Sequence, residues 1–240
     1  MGNCCECCLL MLWARATCAI LTDQRVIRDV LRQRDRDPNK VSDKDFLREC
    51  AWAIYNSGVA FKTVEGKWDR IGEAFLGWDY QCISQNKNVA RTDALQDGLR
   101  VRNSVRKVDA IISIAQWMNQ TGWATIRKQL LNGLRQDEHG NFMPSDDLIP
   151  YLDDLPMIGE TNARFIAQNL GYDLAKPDRW LKWLAAKFGY TEDAKGVQQF
   201  ASDISKLVLE RISVVDTVLW NACSSGANLS SKCPCCGKQR

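Results

Sequence analysis

A single histidine, His139, is all that the 240-residue chain carries, which sets aside His-centred catalytic triads and multi-histidine metal sites. Proline (6) and glycine (15) are few, a composition that suits long helices better than a turn-rich sandwich. No apolar run approaches the roughly 18 to 20 residues that a membrane-spanning helix needs, so no membrane partner is expected. Charge of neither sign dominates: 32 basic against 29 acidic residues leave a net +3. That balance permits DNA as a partner without demanding it. A composition 45% hydrophobic and 25% charged excludes wholesale disorder and collagen-like repeats. The length suffices for one large domain or two small ones.

Cysteine breaks this ordinary pattern, with 11 in the chain. Cys4, Cys5, Cys7 and Cys8 lie near one end and Cys223, Cys233, Cys235 and Cys236 near the other. Cys18, Cys50 and Cys82 read as small core hydrophobes. The odd total argues against a secreted disulfide scaffold. The first residues lack the basic region of a signal peptide, and Glu6 stands where a myristoylation motif at Gly2 wants Ser or Thr. A reducing, cytoplasmic compartment and a monomer are the expectations. Residues 1–20 read as a cysteine-rich segment, 21–222 as the folded core and 223–240 as a cysteine-rich tail. Turn chemistry around Pro234 and Gly237 makes Cys223, Cys233, Cys235 and Cys236 candidate ligands of a structural metal. Their spacing is not that of paired CxxC units, and a tail that binds no metal is the competing reading.

Helical periodicity dominates, and sustained two-residue alternation is missing, so the fold expected is all-α. Val26, Ile27, Val30 and Leu31 line one face of a helix over 23–34. Ser42 with Asp45 forms a capping signal for a helix through Phe46, Leu47, Cys50, Ala51, Ile54 and Tyr55, which Gly58 stops. Further helices are expected over 63–76, 103–118, 123–134, 145–152, 160–170, 179–188, 194–212 and 213–222, with 135–144 as a loop.

The segment 146–170 carries the most chemistry. Leu155-Pro156-Met157-Ile158-Gly159 must turn sharply between two helices and bring backbone amides to the start of the second. Unpaired amides at a helix N-terminus, aided by its dipole, attract an anion such as a DNA phosphate without reading sequence. After that helix, Gly171-Tyr172 ends it, and Lys176-Pro177-Asp178 leads into Arg179-Trp180-Leu181. This arrangement resembles the helix-hairpin-helix (HhH-GPD) superfamily of DNA glycosylases, most clearly over 155–184 and more weakly over 47–75 and 103–117. The resemblance implies a two-lobed helical fold, double-stranded DNA as partner, and excision of a damaged, mismatched or modified base. It makes Asp178 the catalytic carboxylate facing the flipped nucleotide, with no cofactor required for the chemistry.

That chemistry needs little equipment. Breaking an N-glycosidic bond builds positive charge on the sugar, and one carboxylate can stabilise that charge and orient a water. The plainer role for Asp178 is to cap the helix beginning at Arg179; the two roles are compatible. Two departures from the family pattern stand out. Met157 replaces the first glycine of the usual hairpin, and Thr161 stands where bifunctional members carry a Schiff-base lysine. A monofunctional glycosylase, which leaves an abasic site, is the implied reading. Met157, Ile158, Gly159, Glu160, Thr161, Lys176 and Arg179 are the candidate DNA contacts. Arg100, Arg102, Arg106, Lys107 and Lys182 are either further phosphate contacts or a solvated face. Trp52, Tyr55, Asn56 and Phe61, with Trp68, are candidates to line a base pocket or to be core aromatics. Asp173 and Asp154 are the fallback carboxylates. Repair and defence against modified phage DNA both remain open. So do a non-catalytic DNA-binding module and a cysteine-based metal or redox regulator.

Overall fold

The computed structural model describes residues 5–229. In chain order its helices are α1 (Glu6–Ile20), α2 (Gln24–Asp35), α3 (Asp43–Asn56), α4 (Phe61–Glu65) and α5 (Trp68–Ala74). Then come α6 (Tyr80–Gln85), α7 (Lys87–Ala94), α8 (Ser104–Thr121) and α9 (Trp123–Leu130). The last are α10 (Leu148–Asp153), α11 (Glu160–Asn169), α12 (Arg179–Lys187), α13 (Ala194–Val208) and α14 (Ile212–Ser224). Among the described residues one two-stranded ladder, β1 (Arg135–Gln136) with β2 (Phe142–Met143), is the whole sheet content. The fold is all-α. The chain forms two compact units, one of residues 37–135 with 144–170, the other of residues up to 36, 136–143 and 171 onward. None of the described helices is long and apolar enough to cross a membrane.

In the first of these units the Ser42–Asp45 capping box forms: the Asp45 amide donates to Ser42 Oγ and the Ser42 amide to Asp45 Oδ2, both at 3.1 Å. Two orphan donors are thereby satisfied, and α3 starts where the sequence places it. Phe46, Leu47, Cys50, Ala51, Ile54 and Tyr55 are all fully buried. Gly58 ends the run in the left-handed region (φ 68°). Lys107, on α8, is a correction to the solvated or phosphate-binding reading. Its side chain is buried, and its Nζ donates to the carbonyls of Tyr55 and Ser57, each at 2.8 Å. The last turn of α3 is thus capped by a lysine from another helix.

The single helix expected over 63–76 is broken into α4 and α5, and a left-handed turn follows. Leu76, Gly77 and Trp78 have φ of 51°, 67° and 63°, a conformation that costs an L-residue roughly 1–2 kcal/mol each. The turn folds the Trp78 indole back onto α5. A Cβ on Gly72 would lie 3.0 Å from Trp78 Nε1, so the ring takes the space of the missing side chain. Of the three cysteines expected in the core, only Cys50 is there; Cys18 and Cys82 are exposed.

The second unit centres on α1, α12, α13 and α14, with Leu12, Ala16, Leu181, Phe200, Ala201, Val215 and Leu219 at its heart. No helix is expected over 6–20, yet Cys8, Leu9, Leu12, Ala16 and Ile20 form a buried helical face there. The segment 135–144, expected as a loop, holds β1 and β2, and the Asp173 amide donates to the Phe142 carbonyl at 2.7 Å. Arg211 ties this unit together: Nη1 donates to the carbonyls of Gln33, Arg34 and Arg36 at 2.8–3.1 Å, and Nη2 to that of Gly171 at 2.7 Å. It caps the end of α2 and the turn after α11 with one fork of donors.

Candidate functional site

The hairpin lies wholly within the unit of residues 37–135 and 144–170. After α10 the Leu155 amide donates to the Leu152 carbonyl (3.2 Å) and the Ile158 amide to the Leu155 carbonyl (3.0 Å). Leu155 and Ile158 turn into the core while Pro156 and Met157 stay outside. Met157 adopts φ 61°, the left-handed geometry that a glycine would take without steric cost. Gly159 then opens α11 in an extended conformation. No side chain among the described residues caps this helix, so the amides of Gly159, Glu160, Thr161 and Asn162 present the positive end of its dipole. The Ile158 amide, by contrast, is spent inside the turn. The Glu160 carboxylate is drawn along the helix to Arg164, at 3.3 Å.

The pocket candidates meet in the same unit. Trp52 packs edge-on against Phe61 (5.3 Å between centroids) and Trp68 (4.7 Å), and Trp78 stacks on Trp68 (5.0 Å) and Phe75 (5.5 Å). Tyr55 lies beneath, 6.2 Å from Trp68 and 6.4 Å from Phe75. Trp52, Asn56, Phe61 and Trp68 are half-buried, whereas Tyr55 is fully buried. Asn56 Nδ2 donates to the Trp52 carbonyl at 2.8 Å. That leaves Asn56 Oδ1 and the Tyr55 hydroxyl enclosed without a hydrogen-bond partner, and burial holds the Tyr55 phenol above its usual pKa. Unsatisfied polar atoms beside aromatic faces are costly in a finished core. Phe75 and Trp78 complete the cluster; the left-handed turn that brings Trp78 there leaves no periodicity to read.

In the other unit, Asp178 does cap α12: its Oδ1 accepts from the amides of Trp180 (2.9 Å) and Leu181 (3.1 Å). Both capping bonds go to one oxygen. Oδ2 lies outside the cap, so the carboxylate is fixed in orientation by a role that uses only half of it. Burial pushes the Lys176 ammonium below the usual lysine pKa, against the opposing pull of the Asp178 and Asp216 carboxylates. Arg179 is exposed, with its guanidinium 5.1 Å over the Trp180 ring. Lys182 is half-buried and Trp183 exposed.

The fallback carboxylates divide differently. Asp173 is almost wholly buried; its Oδ1 accepts from the Ser213 amide at 2.9 Å and lies 3.8 Å from Arg211 Nε. It caps α14, and burial raises its pKa. Asp154 is exposed at the end of α10. Cys223 is buried in α14, its thiol pushed up to about 11 by burial and then by the Asp178 carboxylate. Cys233, Cys235 and Cys236 lie outside the described residues. Among the described residues no group of three or more His, Cys, Asp or Glu is placed to hold a metal.

Among the described residues, fourteen α-helices, with this hairpin between α10 and α11 and the Asp178 cap on α12, make up the fold. Two solved structures share it. One is a crystal structure of a Methanocaldococcus jannaschii 8-oxoguanine glycosylase/lyase in complex with a 15mer DNA containing 8-oxoguanine. It has a TM-score of 0.63 at 15% identity, over 91% of this chain and 99% of that one. The other is a crystal structure of a Methanocaldococcus jannaschii 8-oxoguanine DNA glycosylase, with a TM-score of 0.60 at 14% identity over 90% of this chain and 95% of that one. No family model matches the chain, and no curated protein matches it in sequence.

Proposed function

We propose that this protein is a DNA glycosylase that flips a damaged, mismatched or modified base out of duplex DNA and hydrolyses its N-glycosidic bond. The observation that carries the reading is the Asp178 carboxylate, oriented by the α12 amides through Oδ1 while Oδ2 is left outside the cap. As the base departs, charge builds on the sugar; a carboxylate held there stabilises that charge and orients the attacking water. The α11 amides serve as the grip on a DNA phosphate. The aromatic cluster around Trp52, with the unsatisfied Tyr55 hydroxyl and Asn56 Oδ1, offers stacking faces and polar groups suited to a flipped base. Thr161 offers no amine for a Schiff base, which supports a hydrolytic enzyme without strand cleavage.

The test is release of free base, read by mass spectrometry, from duplexes carrying a panel of lesions headed by 8-oxoguanine, the base in the DNA of the similar complex. Excision is expected without a borohydride-trapped adduct. Asp178→Asn keeps an N-cap of equal quality, so its fold and DNA binding should persist while excision falls by about a hundredfold or more. Near-normal excision by the folded variant removes the catalytic assignment.

A further inference from the structure

The segment that delivers Asp178 belongs to no helix or strand. From Tyr172 to Asp178 the chain is irregular, and Tyr172, Asp173, Leu174, Ala175 and Pro177 are buried. A buried segment without regular structure must still satisfy its amides, and here two of them are met by side chains from different helices. The Ala175 amide donates to Gln198 Oε1 of α13 at 2.9 Å. The Lys176 amide donates to Asp216 Oδ1 of α14, also at 2.9 Å. The Asp178 amide then closes back on the Lys176 carbonyl at 2.8 Å. Asp216 is 4% exposed, an expensive place for a carboxylate. Its negative charge and that of Asp178 both favour the charged form of Lys176.

We infer that Asp216 and Gln198 are positioning residues for Asp178, holding the strap 175–178 so that the carboxylate meets the sugar at a fixed distance. Each acts on the backbone two or three residues away from the carboxylate, and neither is offered as a catalytic residue. The inference rests on the assignment of Asp178 to the sugar cation. A purely structural role for the pair would lower stability without altering how well the folded protein discriminates a charged sugar from a neutral one. A positioning role alters that discrimination, because displacements on the order of 1 Å can cost about a hundredfold.

The experiment compares binding of the full chain to two otherwise identical duplexes. One carries a pyrrolidine abasic analogue, whose ring nitrogen is cationic; the other carries its neutral tetrahydrofuran counterpart. Neither has a base, so the identity of the excised base does not enter. The wild type is expected to prefer the cationic sugar, as an enzyme complementary to a cationic transition state should, and Asp178→Asn to bind both alike. Asp216→Ala and Gln198→Ala should each cut the preference by about tenfold or more while leaving the tetrahydrofuran affinity near its starting value. Asp216→Asn, whose amide oxygen can still accept from the Lys176 N–H, should retain most of the preference. Full preference in both alanine variants overturns the positioning role and leaves Asp178 standing. Absence of preference in the wild type, or its survival in Asp178→Asn, overturns both. If Asp216→Ala does not fold, the half-buried Gln198 carries the test alone.

Discussion

Met157 sits in the left-handed region at the tip of the hairpin, with 42% of its surface exposed. It gains little burial there and bears the full steric cost of that backbone, so Met157→Gly should stabilise the protein by roughly 0.5–1 kcal/mol. Urea unfolding checks this; a clear loss of stability would mean that the methionine side chain packs more than its exposure indicates. Lys107 makes a different case. Burial lowers its ammonium from 10.5 to about 8, with Arg102 adding to the shift. A lysine with a depressed native pKa binds fewer protons when folded, so its contribution to stability improves as pH rises from about 8 to about 10.5. The stability of the wild type relative to Lys107→Met should therefore climb over that window, by up to about 3 kcal/mol. Thermal unfolding of the two proteins across that pH range tests it, and a pH-independent difference would count against a buried charge. Asp178 was legible because its residue type and place before Arg179 state its capping role in the sequence. Lys107 was not: on α8 it falls among Arg100, Arg102 and Arg106, and nothing local tells a lysine spent on the Tyr55 and Ser57 carbonyls from its exposed neighbours.

Elements were readable where local chemistry fixes them. The Ser42–Asp45 box and the Asp23 cap, which accepts from the Arg25 and Val26 amides, start α3 and α2 at the expected residues. The hairpin of α10 and α11 follows from its own turn sequence. Where tertiary contacts decide, the reading failed. The apolar pattern over 63–76 continues through Gly66, but the chain breaks there and then turns left-handed at Leu76, Gly77 and Trp78 to seat an indole over Gly72. Helix α13 holds a similar constraint at its start. The Gly196 amide donates to Asp193 Oδ1 at 2.7 Å, and a Cβ on Gly196 would lie 2.1 Å from the Thr191 carbonyl oxygen and 2.7 Å from its nitrogen. Backbone cannot yield cheaply at such distances, so Gly196→Ala should cost about 2 kcal/mol or more. Gly66→Ala is the contrast. Its Cβ would find only the Lys62 carbonyl at 3.5 Å, with no positive φ, and stability should stay level or rise slightly. Denaturation midpoints of the pair decide the point, since equal losses would mean that glycine itself, not the Thr191 contact, sets the cost.

At the scale of the whole molecule the net charge of +3 is modest, and the proposed DNA binding, through the α11 amides and a few basic side chains, should be sensitive to salt. Affinity for an undamaged duplex should fall at least about tenfold between about 50 and 200 mM salt. Fluorescence anisotropy across that range measures it, and a flat response would remove phosphate contact as the basis of binding. The division of the chain has a consequence for its synthesis. The unit of residues 37–170, apart from the short insertion 136–143, is continuous, and its last helix emerges from the ribosome before α12, α13 or α14 does. Helices α1 and α2, made before them, must hold Leu9, Leu12, Ala16 and Val26 without their partners until those late helices arrive. Arg211 can close on Gln33, Arg34 and Arg36 only at that stage. These two helices thus reach their native packing late, and in the interval their apolar face is a surface for chaperones.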